Sequence, residues 1–368
     1  MKLKLLIAAV VTSLVSWSVQ AEMKTIEDVL GREINIDVPV KRVVLGFYAE
    51  DYIAIGTDKA LDNIVGISKD TWKVWRPASW NQYIKVRPDL DTIADVGEVE
   101  AQTFSIEKVI SLKPDVVVLA DWQYKGLGFD IDRLEDAGIP VVVLDYNAQT
   151  LERHIKSTLV VGELTNQITR SERIADEYQS AIEDIQSRIE KSGLPKPRAY
   201  VEFGNKGPSE YSFTYGKNMW GAMLNLAGAE NIAAPFIEWW GPINPEQVIA
   251  SKPEVIFIAG TENVKQKDAM TMGQGIFQNE ARDRLAGFTQ RPGWNSLPAV
   301  KDDRLHGVYQ GASRSIIDYT MIQYLAKSLY PGLFDDLKPE ENYLNFYEKY
   351  LPVTPQGTFT LDLKETSL

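Results

Sequence analysis

The sequence predicts an α/β protein of two Rossmann-like lobes, each built on a central, mostly parallel sheet, joined by one long α-helix with a ligand cleft between the lobes. Three observations predict it. A chain of 368 residues exceeds what one core usually supports, so two domains are expected. Apolar runs of strand length alternate with helix-period segments, the pattern of parallel strands joined by crossover helices. Finally, residues 106–120, IEKVISLKPDVVVLA, return at a constant offset of 139 as PEQVIASKPEVIFIA over 245–259, with seven of fifteen positions identical. Each copy reads as a short helix with Glu in its first turn, a Lys-Pro turn and a buried strand, so the lobes are expected to be two versions of one unit.

Residues 1–21 begin with Lys2 and Lys4, run through LLIAAVVTSLVSWSV and end at Val19-Gln20-Ala21, with small residues at the −3 and −1 positions of a cleavage site. About 15 apolar residues fall short of the roughly 20 a membrane-crossing helix needs, so the segment is expected to be a cleaved signal peptide. No cysteine follows it, which argues against a lipid anchor, and export to a periplasm is expected. Strands are expected at 42–47, 64–67, 115–120 and 140–145 in an N-terminal lobe spanning 22–165, and at 198–203, 254–259 and 304–309 in a C-terminal lobe spanning 194–368. Between the two groups, residues 150–191 contain no proline and read as one long helical stretch, of which 166–193 is the connection between lobes. Ile174, Tyr178, Ala181, Ile182, Ile185 and Ile189 recur at three- and four-residue steps along it, and Ser192-Gly193-Leu194-Pro195 stops it.

Composition narrows the function. Lys and Arg total 39 against 51 Asp and Glu, a net charge of −12 that opposes nucleic acid and anionic lipid. With no Cys and only His154 and His306, thiol chemistry, cysteine zinc sites and paired-histidine metal motifs are all excluded. No G-x-S-x-G elbow, P-loop or H-E-x-x-H occurs, and the pairs Gly126/Gly128 and Gly273/Gly275 lack the third glycine of a dinucleotide fingerprint. These absences leave no recognisable catalytic or dinucleotide-binding motif, and no cofactor or metal site of the protein's own is expected.

Ligands of open parallel sheets bind beyond the carboxyl ends of the strands. The loops expected there are rich in aromatics: Tyr48 after the first strand, Trp72 and Trp75 after the second, Trp122 and Tyr124 after the third, and Tyr215, Trp239 and Trp240 in the second lobe. Any one of them is explained as well by packing within a large loop, but together they suggest a flat-walled apolar cleft for a bulky organic ligand. Arg76 and Arg314 are the cationic candidates, since a guanidinium can grip an anionic chelate with paired hydrogen bonds, the alternative being solvent-exposed loop arginines. Glu107 and Glu246 occupy matching first-turn positions in the repeat. Favourable interaction with the helix dipole explains either alone; the pair leaves room for contact with a partner.

The opening DVLGREINIDVPVKRVVLGF, the paired K-P-[DE] strand units and the long helix between lobes together resemble the helical-backbone cluster of periplasmic substrate-binding proteins that serve ABC importers of iron-siderophore complexes, haem and cobalamin. The resemblance implies two lobes on one rigid helix, a shallow cleft, and a glutamate on each lobe, here Glu107 and Glu246, that docks onto arginines of an ABC transporter permease. It implies a monomer that carries a small-molecule iron complex, a ferric siderophore or similar chelate. Within the cluster, an oxyanion such as molybdate or tungstate, haem and cobalamin are the alternative ligands. A periplasmic enzyme on the same scaffold is the rival from another class.

Overall fold

The computed structural model describes residues 22–262 and 265–364; the signal peptide expected at 1–21 lies outside them. The chain opens with an antiparallel hairpin of β1 (Glu22–Glu27) and β2 (Glu33–Val38). The N-terminal lobe then runs β3 (Val43–Leu45), α1 (Ala49–Gly56), β4 (Ile64–Ile67), α2 (Pro77–Val86), β5 (Ala94–Asp95), α3 (Ile106–Leu112), β6 (Val116–Ala120), α4 (Asp121–Leu127), α5 (Asp130–Asp136) and β7 (Val141–Leu144). Its five strands are parallel in the order β5-β4-β3-β6-β7. Every residue of β3, β6 and β7 is buried, as expected for strands covered on both faces.

The stretch expected to be one helix over 150–191 is two: α6 (Leu151–Thr165) and α7 (Ile168–Ser192). The break needs no proline. Asn166 takes a left-handed conformation (φ 55°), and its N–H donates to the carbonyls of Glu163 and Gly162, ending α6 as a glycine cap would. Gly162 lets the two helices meet closely, because a Cβ there would lie 2.0 Å from Ser171 Oγ. On α7, Ile174, Tyr178, Ile182 and Ile185 form a buried stripe, and Gly193 (φ 63°) caps its end.

The second lobe follows with β8 (Arg198–Phe203), β9 (Phe213–Tyr215), α8 (Trp220–Leu226), β10 (Glu230–Asn231), β11 (Trp240–Pro242), α9 (Pro245–Ser251), β12 (Val255–Gly260), β13 (Gly273–Gln274), α10 (Gln278–Phe288), α11 (Pro298–Lys301), β14 (Leu305–Tyr309), α12 (Tyr319–Leu329), α13 (Pro339–Tyr350), β15 (Gly357–Thr358) and β16 (Thr360–Asp362). Its sheet runs β11-β9-β8-β12-β14-β16, with β10 also on β8; β8, β12 and β14 are parallel, and β9, β11 and β16 pair antiparallel. α13 reaches back to the first lobe, where Tyr347 Oη donates to Glu50 Oε1 at 3.2 Å, and to α7, whose Arg170 Nη2 donates to the Tyr350 carbonyl at 3.0 Å.

The sequence repeat is a structural one. α3–β6 and α9–β12 are the same unit, each helix capped by a side chain, Ser105 Oγ accepting from Lys108 N and Asn244 Oδ1 from Glu246 N. Each helix ends on a lysine in the left-handed region, Lys113 at φ 49° and Lys252 at φ 48°, with the proline that follows leading into the strand.

Candidate ligand-binding cleft

The ends of β4, β6, β7, β8 and β14 carry their loops to one cleft of about 760 Å³. Trp75, Asp121, Trp122, Lys125, Asp145 and Asn147 line it from the first lobe, and Phe203, Phe213, Tyr215, Trp239, Trp240, Gln310 and Arg314 from the second. Phe47, at the end of β3, supports one wall from behind, edge-on to Trp75 (6.0 Å between centroids) and to Trp122 (5.7 Å). The opposite wall rests on the β9–β11 ladder, which sets Trp240 beside Tyr215 and brings the Phe213 and Trp240 rings edge to face at 4.8 Å. Trp239 and Trp240 remain 59% and 52% exposed, apolar surface that a ligand can cover.

Of the ten residues expected to bind ligand, Trp75, Trp122, Tyr215, Trp239, Trp240 and Arg314 line this cleft. The other four are placed elsewhere. Trp72 is buried inside the lobe, packed edge-on against Trp80 and Tyr83 with its Nε1 donating to Ser79. Tyr124 lies on α4 between the cleft-facing Trp122 and Lys125 and turns away, stacked under Arg32 at 4.4 Å. Tyr48 is buried as a strut, its hydroxyl donating to Asn147 Oδ1 and accepting from Tyr146 N. Arg76 sits beneath the cleft floor and pairs with Glu50 at 3.5 Å. The cleft also holds residues that sequence reasoning missed: Glu100, Asp121, Lys125, Asp145, Asn147, Arg153, Phe203, Phe213, Asn218 and Met219. The one available signal was position after a strand, which Asp121 and Asn147 satisfied, Asp145 being the last residue of the strand expected at 140–145; ordinary polar loop residues gave no reason to single them out.

The cleft's polar groups fall into two sets. Arg153 pairs with Asp145 and Lys125 with Asp121, each at 2.6 Å, and these cations are already neutralised. Arg314 is different. Its guanidinium stands over the Phe47 ring at 5.2 Å, and its buried Nε lacks a hydrogen-bond partner. Burial, then the like charge of Arg76, pull its pKa down to about 10, so it stays cationic at neutral pH. Burial, then Glu98, raise the nearby Glu100 carboxyl above its ordinary value. Trp122 Nε1, Asp121 Oδ1 and Asn218 Oδ1 are likewise buried without a partner. Buried polar atoms are nearly always paired, and around this cleft two donors and two acceptors are not. Among the described residues no group of three or more His, Cys, Asp or Glu is placed to hold a bare metal ion.

The predicted docking glutamates lie outside the cleft, at the exposed starts of α3 and α9. Glu107 is held by Arg133 of α5 at 2.6 Å, and that hydrogen bond keeps its carboxyl below the usual range.

This geometry has relatives. The chain is 25% identical over 378 residues to the molybdate-binding protein MolA of Haemophilus influenzae, covering 95% of this chain and 97% of that one. Among solved structures it is similar to the TroA-like periplasmic binding protein FepB of Veillonella parvula, with a TM-score of 0.87 and 30% identity over 92% of this chain and 99% of that one. It also shares the fold of molybdate-bound MolA, with a TM-score of 0.67 and 19% identity over 91% and 99% of the two chains. A family model described as periplasmic binding protein matches residues 43–308, from the first strand of the N-terminal sheet to the strand that leads into the Arg314 loop. Two duplicated lobes, a helical connection and an interlobe cleft at the strand ends are thus accounted for together: the chain belongs to the periplasmic binding protein family.

Proposed function

We propose that this protein is the solute-binding component of an ABC importer and that its cargo is a bulky anionic ferric chelate of the siderophore kind. The observation that carries the reading is the cleft itself: about 760 Å³, walled by four tryptophans and by Arg314, whose buried Nε has no hydrogen-bond partner. Aromatic walls suit the flat organic faces of a chelator, and a cationic anchor suits the net negative charge of a ferric complex. The iron is substrate here and brings its own ligands. Capture needs no bond to be made or broken, which agrees with relatives named as binding proteins.

A second reading, an oxyanion carrier, is favoured by the near full-length match to a molybdate-binding protein. Against it, a tetrahedral oxyanion would fill a small part of this cleft and leave its tryptophans uncovered. Mass spectrometry and metal analysis of small molecules released from protein purified out of an iron-limited periplasm separate the two. A ferric chelate supports the first reading; molybdenum or tungsten without an organic chelator overturns it.

Delivery would use Glu107 and Glu246 as contacts to a basic permease surface, one on each copy of the repeated unit. For Glu107 this means exchanging Arg133 for a partner's arginine, a small change for an exposed pair. Replacing both glutamates with alanine is expected to abolish uptake into cells while leaving chelate affinity in solution within about twofold; unchanged uptake would remove the docking role.

A further inference from the structure

Arg314 does not hold its own position. It stands in the left-handed region at φ 65°, a conformation that costs a non-glycine residue about 1 kcal/mol or more and persists only where neighbours impose it. Those neighbours are two buried carboxylates, neither of which touches the cleft. On one side, Asp51 of α1 accepts from Ser315 Oγ and from Ile316 N, both at 2.8 Å and both through Oδ1. On the other, the fully buried Asp318 accepts from Tyr178 Oη of α7 at 3.0 Å through Oδ1, and from His154 Nε2 of α6 at 3.1 Å and Gln149 Nε2 through Oδ2. The loop from Gln310 to Asp318, which belongs to the second lobe, is therefore fastened to the first lobe and to the connecting helix within four residues of Arg314.

We propose that Asp318 and Asp51 are positioning residues of the ligand site, fixing Arg314 in the cleft by tying its loop across the lobe boundary. Asp318 is the more demanding of the two. Three donors converge on its two oxygens, two from residues 149–154 at the start of α6 and one from α7, and no neutral side chain of that size offers as many acceptors in the same place. Gln149, one of those donors, continues the segment that contributes Asp145 and Asn147 to the opposite cleft wall, and the Asn147 carbonyl accepts from Met219 N of the second lobe at 3.1 Å. The two walls are thus referenced to one buried carboxylate. The consequence for function is a preorganised site: the arginine waits at its place, and binding does not have to order it.

The proposal rests on the cleft being the ligand site, but its test needs no ligand. Hydrogen exchange of side-chain N–H groups can be followed by NMR at Arg314 Nε and at Trp220 Nε1, which donates to Gln310 Oε1 at the start of the same loop. Trp72 Nε1 and Trp294 Nε1, bonded to Ser79 and Tyr211 inside the two lobes, serve as internal controls. In the Asp318→Asn variant, exchange at Arg314 and Trp220 is expected to rise about tenfold or more while Trp72 and Trp294 change less than about twofold. Should that variant not fold, Tyr178→Phe removes one donor from Asp318 without opening a cavity, and the same pattern at about threefold is expected. Unchanged exchange at Arg314, or a rise shared equally by all four groups, overturns the proposal, the latter because it would make Asp318 a fold-stabilising residue only.

Discussion

Replacing Arg314 with alanine is expected to weaken binding of an anionic ferric chelate by roughly 30- to 1,000-fold, the equivalent of about 2–4 kcal/mol for one buried charged hydrogen-bonding partner. The effect should be large because Arg314 is the cleft cation not already committed to a carboxylate: Arg153 and Lys125 are neutralised by Asp145 and Asp121. Arg314→Lys should recover only part of the loss, since an ammonium keeps the charge but not the planar fork. Equilibrium dialysis with an iron(III) tris-catecholate and an iron(III) hydroxamate complex measures it, with the melting temperature as control. Arg314→Gly provides an internal check of the backbone argument. It should lose affinity as alanine does, yet melt no lower than the parent, because glycine relieves the positive φ.

The second large effect concerns stability. Glu202 on β8 and Arg291 are both buried and form a bidentate pair, Nη1 to Oε2 at 2.8 Å and Nη2 to Oε1 at 3.0 Å. The remaining polar atoms are also used: Tyr200 Oη and Ser212 N donate to Glu202, and Arg291 donates to the carbonyls of Pro208, Gly207 and Glu210 while lying over the rings of Tyr211 and Trp294. This network fixes the segment that leads into β9 and hence Phe213 and Tyr215 in the cleft. Arg291→Met leaves an uncompensated buried carboxylate and should cost about 3–5 kcal/mol in urea unfolding. The double variant Glu202→Leu/Arg291→Met should cost less than the single one, because no charge is then stranded.

The contrast between these two arginines shows what the sequence could and could not reveal. Both lie in loops without a helical or strand pattern around them. Arg314 was singled out because it follows a strand by a few residues, and it lines the cleft; Arg291 follows α10 and offered no such signal, although it is the more deeply engaged. Strands in the two sheets were legible because burial on both faces leaves unbroken apolar runs such as Val116–Ala120 and Val255–Gly260. The short antiparallel strands β9, β11 and β16 were not, since three residues carry no periodicity. The break between α6 and α7 was hidden by an asparagine doing what glycine or proline usually signals. For the aromatics, composition identified the right loops and not the right faces. Trp72 and Trp75 are three residues apart on one tight turn, and one enters the core while the other lines the cleft. Trp122 and Tyr124 divide in the same way across α4, because residues two apart on a helix cannot share a face.

On the proposed reading, the tryptophans would provide area with little demand on shape, while the polar groups of Arg314, Trp122, Asp121 and Asn218 would impose charge and direction. The buried ties from Asp51 and Asp318 hold the two walls in register, so only a modest change in lobe angle is expected on binding, and a permease would have to sense that small change through both lobes.

The central claim, that this cleft takes a bulky chelate and not a small oxyanion, is tested most directly by titrating intrinsic tryptophan fluorescence. Trp75, Trp122, Trp239 and Trp240 line the cleft, and a ligand that covers them must change their emission. A saturable response to a ferric catecholate or hydroxamate chelate, shifted to roughly 30- to 1,000-fold higher concentration in the Arg314→Ala variant, with no response to molybdate, is the predicted result. Saturable quenching by molybdate with no response to either chelate would contradict it.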